Sequence, residues 1–232
     1  MFEANATPPG SDINVYFDIV SPQSYLAFTG YAVHYVPVHE AGIVRGSQQH
    51  KDRDATIVLG EGTEHGRTDL RRWAKLLGVT LRPPSPTGCP SPDSLLCARV
   101  LAVIAHYHSS KLAAAMAALW THTFSRDGDD DDRRDLASPT DLGTILSRVF
   151  TGAEIDMMLK LARSDEIRDV VRRNTEKVVR DGGSRCPWIE VVKQSGETAH
   201  FAGTDRWIHV VDFAGLSWDG YGIVGGRERS VI

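Results

Sequence analysis

The sequence is poor in cysteine. Three occur in 232 residues, Cys89, Cys97 and Cys186, and no Cys-x-x-Cys pair is among them. A thioredoxin-type redox dithiol is therefore excluded, and thiols without metal-ligand spacing suit a reducing compartment rather than a disulfide scaffold. No apolar run reaches the length of a membrane-spanning helix. Basic residues are not in excess: 26 Lys and Arg stand against 30 Asp and Glu, a formal net charge of -4. That balance gives no electrostatic case for nucleic acid or an anionic membrane. Phosphate-cradling Gly-rich loops and Ser/His/Asp hydrolase signatures are missing, and the nine histidines show no metal spacing. The run Asp129-Asp130-Asp131-Asp132-Arg133-Arg134 reads as a solvated loop, because nothing fixes its carboxylates round one ion.

Targeting signals are equally scarce. Residues 1–11 lack the regions of a signal peptide and the Arg-rich character of a transit peptide, and read as a loose tail. The C-terminal Arg229-Ser230-Val231-Ile232 is neither a peroxisomal nor a prenylation signal. Cytoplasmic is the default expectation, with mitochondrial and peroxisomal compartments left open.

What is present is an ordinary globular composition, 41% hydrophobic and 24% charged, in a chain long enough for one large domain or a domain with a sizeable insertion. Asn14-Val15-Tyr16-Phe17-Asp18-Ile19-Val20 reads as a strand. It stops at Ser21-Pro22 and turns at once into a helix, with Ser21 as N-cap and Pro22 at the first helical position. Residues 33–39 alternate like a second strand, and residues 41–66 are polar and Gly-rich, which predicts a long loop. From Thr68 the pattern is helical, with Leu70, Trp73, Leu76 and Leu77 at helical spacing and Gly78 as its end. Residues 81–92 hold five prolines and read as loop. Two apolar helices follow over 93–108 and 110–125, broken near Ser109, with Cys97 in the first as a core residue. Three more are predicted over 139–150, 152–162 and 164–180, capped by Ser138, Thr151 and Ser164. Trp188–Val192 and Thr198–Ala202 then read as a hairpin, and Thr204-Asp205-Arg206 opens a last helix through about Phe213.

The order is β-α-β, a helical block, then β-β-α. It predicts an α/β thioredoxin-like fold with a large all-helical insertion. Residues 12–66 and 182–232 would form the discontinuous thioredoxin-like domain, and 67–181 the insertion. The two parts must close into one sheet, which puts both ends of the insertion beside each other. Ser21 lies where a strand end feeds a helix, the usual place for ligand sites in open sheets. By itself it is equally a simple helix cap, with Ser24 as a supporting first-turn residue. Cys186-Pro187 precedes the third strand. An X-Pro bond adopts cis far more readily than other peptides, and the bend leaves the backbone of residue 186 free to pair with an extended peptide. Gly203-Thr204-Asp205-Arg206 offers a hydroxyl, a carboxylate and helix N–H groups together.

These residues resemble a known family. Val20-Ser21-Pro22-Gln23-Ser24-Tyr25-Leu26 is similar to the V/L-S-P-Y-S-Y/W-L start of the kappa-class glutathione transferases and 2-hydroxychromene-2-carboxylate isomerases, in the DsbA-like branch of the thioredoxin fold. Gly203-Thr204-Asp205-Arg206 resembles their G-S/N-D-R, and Gly42–Gln49 the loop that ends in a peptide-binding Asn, whose place Gln49 takes. Thr68-Asp69-Leu70 and Leu119-Trp120 through Arg126 match further segments, so the resemblance spans nearly all of 12–214.

The resemblance implies glutathione as co-substrate, no metal, and a small electrophile or peroxide as second substrate. Ser21 would be the catalytic donor to the glutathione sulfur. Gln49, Cys186, Pro187, Thr204 and Asp205 would bind the peptide, with its cysteinyl backbone on residue 186 and its γ-glutamyl end at Thr204 and Asp205. Cysteine before the proline departs from the family, which has an aliphatic or small residue there; it is either a buried small hydrophobe or a thiol beside the bound sulfur. Relatives carry a Lys and a Tyr where Gly62 and His65 fall; Lys51, Arg53 and Arg67 are the cations here that could replace the Lys. A homodimer is implied, without nucleic acid or membrane partners. Two other readings share this sequence: a glutathione-dependent isomerase of the hydroxychromene-carboxylate type, and a non-catalytic thioredoxin-like binding module.

Overall fold

The computed structural model describes residues 11–28, 33–49, 64–79, 81, 93–124 and 135–216. Its strands are β1 (Ser11–Phe17), β2 (His34–Pro37), β3 (Trp188–Lys193) and β4 (Thr198–Ala202). Its helices are α1 (Pro22–Leu26), α2 (Glu40–Gln49), α3 (Glu64–Leu77), α4 (Leu95–Tyr107), α5 (Leu112–Phe124), α6 (Pro139–Leu146), α7 (Gly152–Leu161), α8 (Asp165–Arg180) and α9 (Trp207–Ala214). Among the described residues the sheet has four strands in the order β2-β1-β3-β4. β2 runs parallel to β1, and β3 and β4 are antiparallel to their neighbours. Helices α3–α8 lie between the β1-α1-β2 and β3-β4-α9 parts. This is the thioredoxin-like fold with a helical insertion.

Period-two burial builds the sheet. Ile13 opposes Val191 and Val15 opposes Ile189 across the β1–β3 ladder, and all four pack with Trp207 and Val210 of α9 on one face. Tyr16 and Trp188, also opposite one another, point to the other face. There they meet Val38, Ile43, Val178 and Cys186. The largest apolar cluster joins Phe17 and Ile19 to the inserted helices through Leu101, Met116, Leu119, Trp120, Leu142 and Leu146. Each fully buried side chain of this kind contributes roughly 1.5–3 kcal/mol.

Helix starts follow their capping residues. Ser138 accepts from the Asp141 N–H, Ser164 accepts from the Ile167 N–H, and Thr151 with Glu154 forms a reciprocal capping box. The capping-box carboxyl of Glu154 is lowered to about 2, first by its bond from Lys111 and then by those from Thr151.

Four expectations need correction. The stretch 41–49 is α2, not loop, because its two glycines are packing residues rather than breakers. A methyl group on Gly42 would stand 3.0 Å from Thr175 Cγ2, and one on Gly46 2.9 Å from Val179 Cγ2, so bare Cα positions let α2 lie close against α8. The next helix starts at Glu64 rather than Thr68, and its Leu76 is 62% exposed while Leu70, Ala74 and Leu77 face Leu26. β2 is shorter than 33–39, because the chain turns at His39 into α2. Ser11, placed in the tail by sequence, is already in β1. The rest of that tail, Cys89, the acidic run and the segment after Leu216 lie outside the described residues.

Candidate active site

The end of β1 sets up the site. Asp18 is buried and accepts hydrogen bonds from the Ser94 hydroxyl at 2.7 Å, the Glu40 N–H at 2.8 Å and the Val20 N–H at 3.3 Å. One carboxylate thereby ties the strand end to the first residues of α2 and the cap of α4. Burial raises its pKa, and the three donors and His39 oppose that rise. Its charge and the burial of Cys97 push that thiol well up, burial being the larger cause. Cys97 is an inert core residue, as its helical setting predicts.

Beyond Asp18 the chain extends through Ser21 and turns into α1. The Ser21 hydroxyl accepts from the Ser24 N–H at 3.3 Å and donates to the Cys186 carbonyl at 3.3 Å. It is a helix cap and a cross-link to the third segment at once. The Cys186–Pro187 peptide is cis. Pro187 in turn accepts from the Gly203 N–H at 3.1 Å. The Thr204 hydroxyl closes the ring by donating to the Gln23 carbonyl at 2.8 Å. Gly203 has φ +96°, and a side chain there would stand 2.9 Å from Asp205 Oδ1. The positive φ is what calls for glycine here, and the Asp205 carboxylate occupies the space a side chain would take. Asp205 is half-exposed and lies 3.5 Å from the Arg206 guanidinium.

The structure therefore brings Ser21, Cys186, Pro187, Thr204 and Asp205 to one sheet end, linked by three hydrogen bonds between segments remote in sequence. Gln49 is the last residue of α2, at the opposite end of that helix from Glu40. Of the cations near the family Lys position, Arg67 is paired with Glu64 at 3.1 Å. Lys51, Arg53 and Gly62 lie outside the described residues. The Cys186 thiol packs among Tyr16, Val38, Ile43, Val178 and Trp188, as a small buried hydrophobe does.

Glu40 is the residue that sequence reasoning missed. Its Oε1 accepts from the Cys186 N–H at 2.9 Å. The backbone of residue 186, expected to be free, is thus engaged on both sides, its N–H by Glu40 and its carbonyl by Ser21. The cause is Asp18, which anchors the Glu40 N–H and so seats that side chain over residue 186. On the Val20 and Glu40 side of this end lies a cleft of about 650 Å³, lined also by His39, Val44, Arg45 and Ser94; its lining does not include Ser21, which is fully buried.

A second polar cluster lies on the sheet face under α8. Lys177 bridges Asp181 at 2.6 Å and Glu190 at 2.5 Å. Tyr16 and Asn14 each donate to Glu190 at 3.2 Å, and His200 lies 3.5 Å from it. Burial works against the Glu190 charge, but the bonds from Lys177 and Tyr16 hold its carboxyl below the ordinary range. Burial, and then the Glu190 charge, raise the Tyr16 phenol to about 12. Asp181, Glu190 and His200 could each offer a ligand atom to a metal, within 4.8 Å of one another. The Lys177 ammonium already supplies positive charge between the two carboxylates.

Comparison with known proteins places the fold first. The chain resembles the solved 2-hydroxychromene-2-carboxylate isomerase, with a TM-score of 0.59 at 17% identity, covering 88% of this chain and 94% of that one. It also resembles the cytosolic disulfide reductase DsbM from Pseudomonas aeruginosa, at 0.52 and 13% identity over 88% of this chain and 94% of that one. The class is the DsbA-like thioredoxin fold. No family model matches the chain. In sequence it is similar to glutathione S-transferase kappa 1 of Caenorhabditis elegans, 23% identical over 86% of this chain and 89% of the relative. Glutathione s-transferase kappa 2 of the same organism is 24% identical over 87% of this chain and 90% of the relative. The chain is thus similar in sequence to these two kappa transferases, and in fold to the isomerase and the reductase.

Proposed function

We propose that this protein is a glutathione transferase of kappa type, acting on a small electrophile or peroxide. The observation that carries the reading is the convergence of Ser21, the cis Cys186–Pro187 peptide and Gly203-Thr204-Asp205 at one sheet end, on this fold. The residues fit the peptide. The N–H and carbonyl of Cys186 are the pair an extended cysteinyl unit would bond, and both stand at the end of β3 beside Ser21. Asp205 is half-exposed and anionic, suited to the α-ammonium of the γ-glutamyl end.

In this reading binding is an exchange of hydrogen bonds. The peptide N–H of glutathione takes the Cys186 carbonyl, which releases the single Ser21 proton to turn toward the sulfur. The peptide carbonyl takes the Cys186 N–H, which releases Glu40. A thiol of ordinary pKa, about 8.5, is mostly protonated at neutral pH. A hydroxyl donor to the thiolate is worth about 1.5–3 kcal/mol, enough to lower that pKa by roughly one to two units. The thiolate then attacks the electrophile, its sulfur–electrophile bond forming as the leaving group departs with its electron pair.

The test is glutathione binding by calorimetry, with product analysis on candidate electrophiles. Saturable binding weakened in Asp205→Ala, with a conjugate as product, supports the transferase. The likeness to the isomerase fold gives the second reading, in which glutathione adds and leaves; a product of unchanged formula and new double-bond geometry would favour it. Absence of binding at millimolar glutathione would overturn both and favour a non-catalytic binding module.

A further inference from the structure

A second concavity opens where α2, α4 and α8 meet. It measures about 470 Å³ and is lined by Arg45, Arg99, Arg168 and Arg172 over a floor that includes Leu95 and Thr175. Four guanidiniums here face two carboxylates, Asp169 and Glu176, in a chain whose formal net charge is -4. Both carboxylates are committed to Arg172, at 3.2 Å and 2.9 Å. Arg168 lies 3.5 Å from Asp165 on the exposed helix surface. Arg99 Nε is buried with no hydrogen-bond partner among the described residues. Burial depresses the Arg99 pKa, and the neighbouring Arg168 charge adds to this, with Asp93 pulling the other way.

A solvated helix face would pair such groups with water or with carboxylates one turn away, as Arg172 does. Arg168 has such a carboxylate in Asp165, but Arg99 and Arg168 still present two like charges to one concave space, and the Arg99 Nε donor is left over. That arrangement is unfavourable when empty and favourable round a compact anion, since guanidiniums match tetrahedral oxyanions bidentately. We propose that this groove binds a small molecule carrying a phosphate or similar tetrahedral oxyanion, held by Arg99 and Arg168 with Arg45 closing over it. The groove shares His39, Arg45 and Leu95 with the cleft lined by Val20 and Glu40. The organic part of such a ligand would extend from the anion site into that cleft.

The probe is inorganic pyrophosphate, titrated at low ionic strength and followed by calorimetry and by the Arg99 Nε–H resonance. Glutathione takes no part, so this test is independent of the transferase reading. The expected result is saturable binding with a shift of the Arg99 signal. Affinity should fall at least tenfold in Arg99→Gln and in Arg168→Gln. It should fall less in Arg99→Lys, which keeps the charge, and not at all in Arg173→Gln, an exposed position on α8 outside the groove. Circular dichroism checks that each variant is folded. Absence of saturation at millimolar pyrophosphate would overturn the proposal. So would binding that folded Arg99→Gln and Arg168→Gln proteins retain in full, or that Arg173→Gln weakens equally.

Discussion

Removing the Glu40 carboxylate should make the protein less stable and its peptide site stronger. In the ligand-free fold Glu40 Oε1 holds the Cys186 N–H at 2.9 Å. A hydrogen bond to a charged acceptor is worth about 1.5–3 kcal/mol net, and leaving a sheltered donor unpaired costs about 1–3 kcal/mol. Glu40→Ala should therefore lower unfolding free energy by about 1–3 kcal/mol. A bound glutathione needs the same N–H, so in the wild type the Glu40 bond is given up on binding. Taking the low end of its worth, about 1.5 kcal/mol, its removal should tighten the glutathione Kd a little over tenfold, since about 1.4 kcal/mol is a factor of ten. Denaturant unfolding gives the first quantity and calorimetry the second. Opposite signs in the two are the signature of a displaced intramolecular bond. Weaker glutathione binding in a folded Glu40→Ala protein would refute the displacement and make Glu40 part of the ligand's own contacts.

Other consequences follow from the buried charges and the tight helix contact. Asp18→Ala leaves three donors without their acceptor and should cost about 3–5 kcal/mol in denaturant unfolding. Because burial raises the folded pKa of Asp18, the native state holds that proton longer than the unfolded chain does. Its share of stability therefore falls as pH rises from about 3.9 toward the folded value, and carboxyl NMR should find Asp18 titrating above free aspartate. Glu190 has the opposite sign: its folded pKa is depressed, so its contribution is present above about 4.3 and is lost as pH falls through the folded value. Glu190→Gln should cost about 1.5–3 kcal/mol at pH 7, and its deficit relative to wild type should shrink in acid. Gly46→Ala would place a methyl 2.9 Å from Val179; overpacking of about 1–3 kcal/mol outweighs the gain of about 1 kcal/mol in helix propensity. The double variant with Val179→Ala should recover part of the loss.

Much of this was legible because the signals are local. Ser138, Thr151 and Ser164 cap where hydroxyls precede apolar periodicity, and Ser21-Pro22 marks a strand-to-helix turn by chemistry confined to two adjacent residues. Cys186 before Pro187 and Gly203 before Thr204 are likewise readable as neighbours, and their spacing fixes which strands they flank. What the sequence concealed depends on partners far along the chain. Gly42 and Gly46 look like loop residues until Thr175 and Val179 lie against them. Glu40 is one polar residue among many until Asp18 fixes its backbone over residue 186. The cluster of Lys177, Glu190 and His200 joins α8 to the sheet, and Arg99 and Arg168 line one groove only because α4 lies against α8. No periodicity reports such contacts.

In the proposed mechanism the Ser21 hydroxyl turns from the Cys186 carbonyl to a bound sulfur. Titrating the thiol of bound glutathione by its ultraviolet thiolate absorbance, in wild type and in Ser21→Ala, tests it most directly. The expected result is a thiol pKa about one to two units below the free value of about 8.5 in wild type, returning toward that value in Ser21→Ala while binding persists. Superimposable titration curves for the two proteins would contradict it and leave Ser21 as a cap of its own helix.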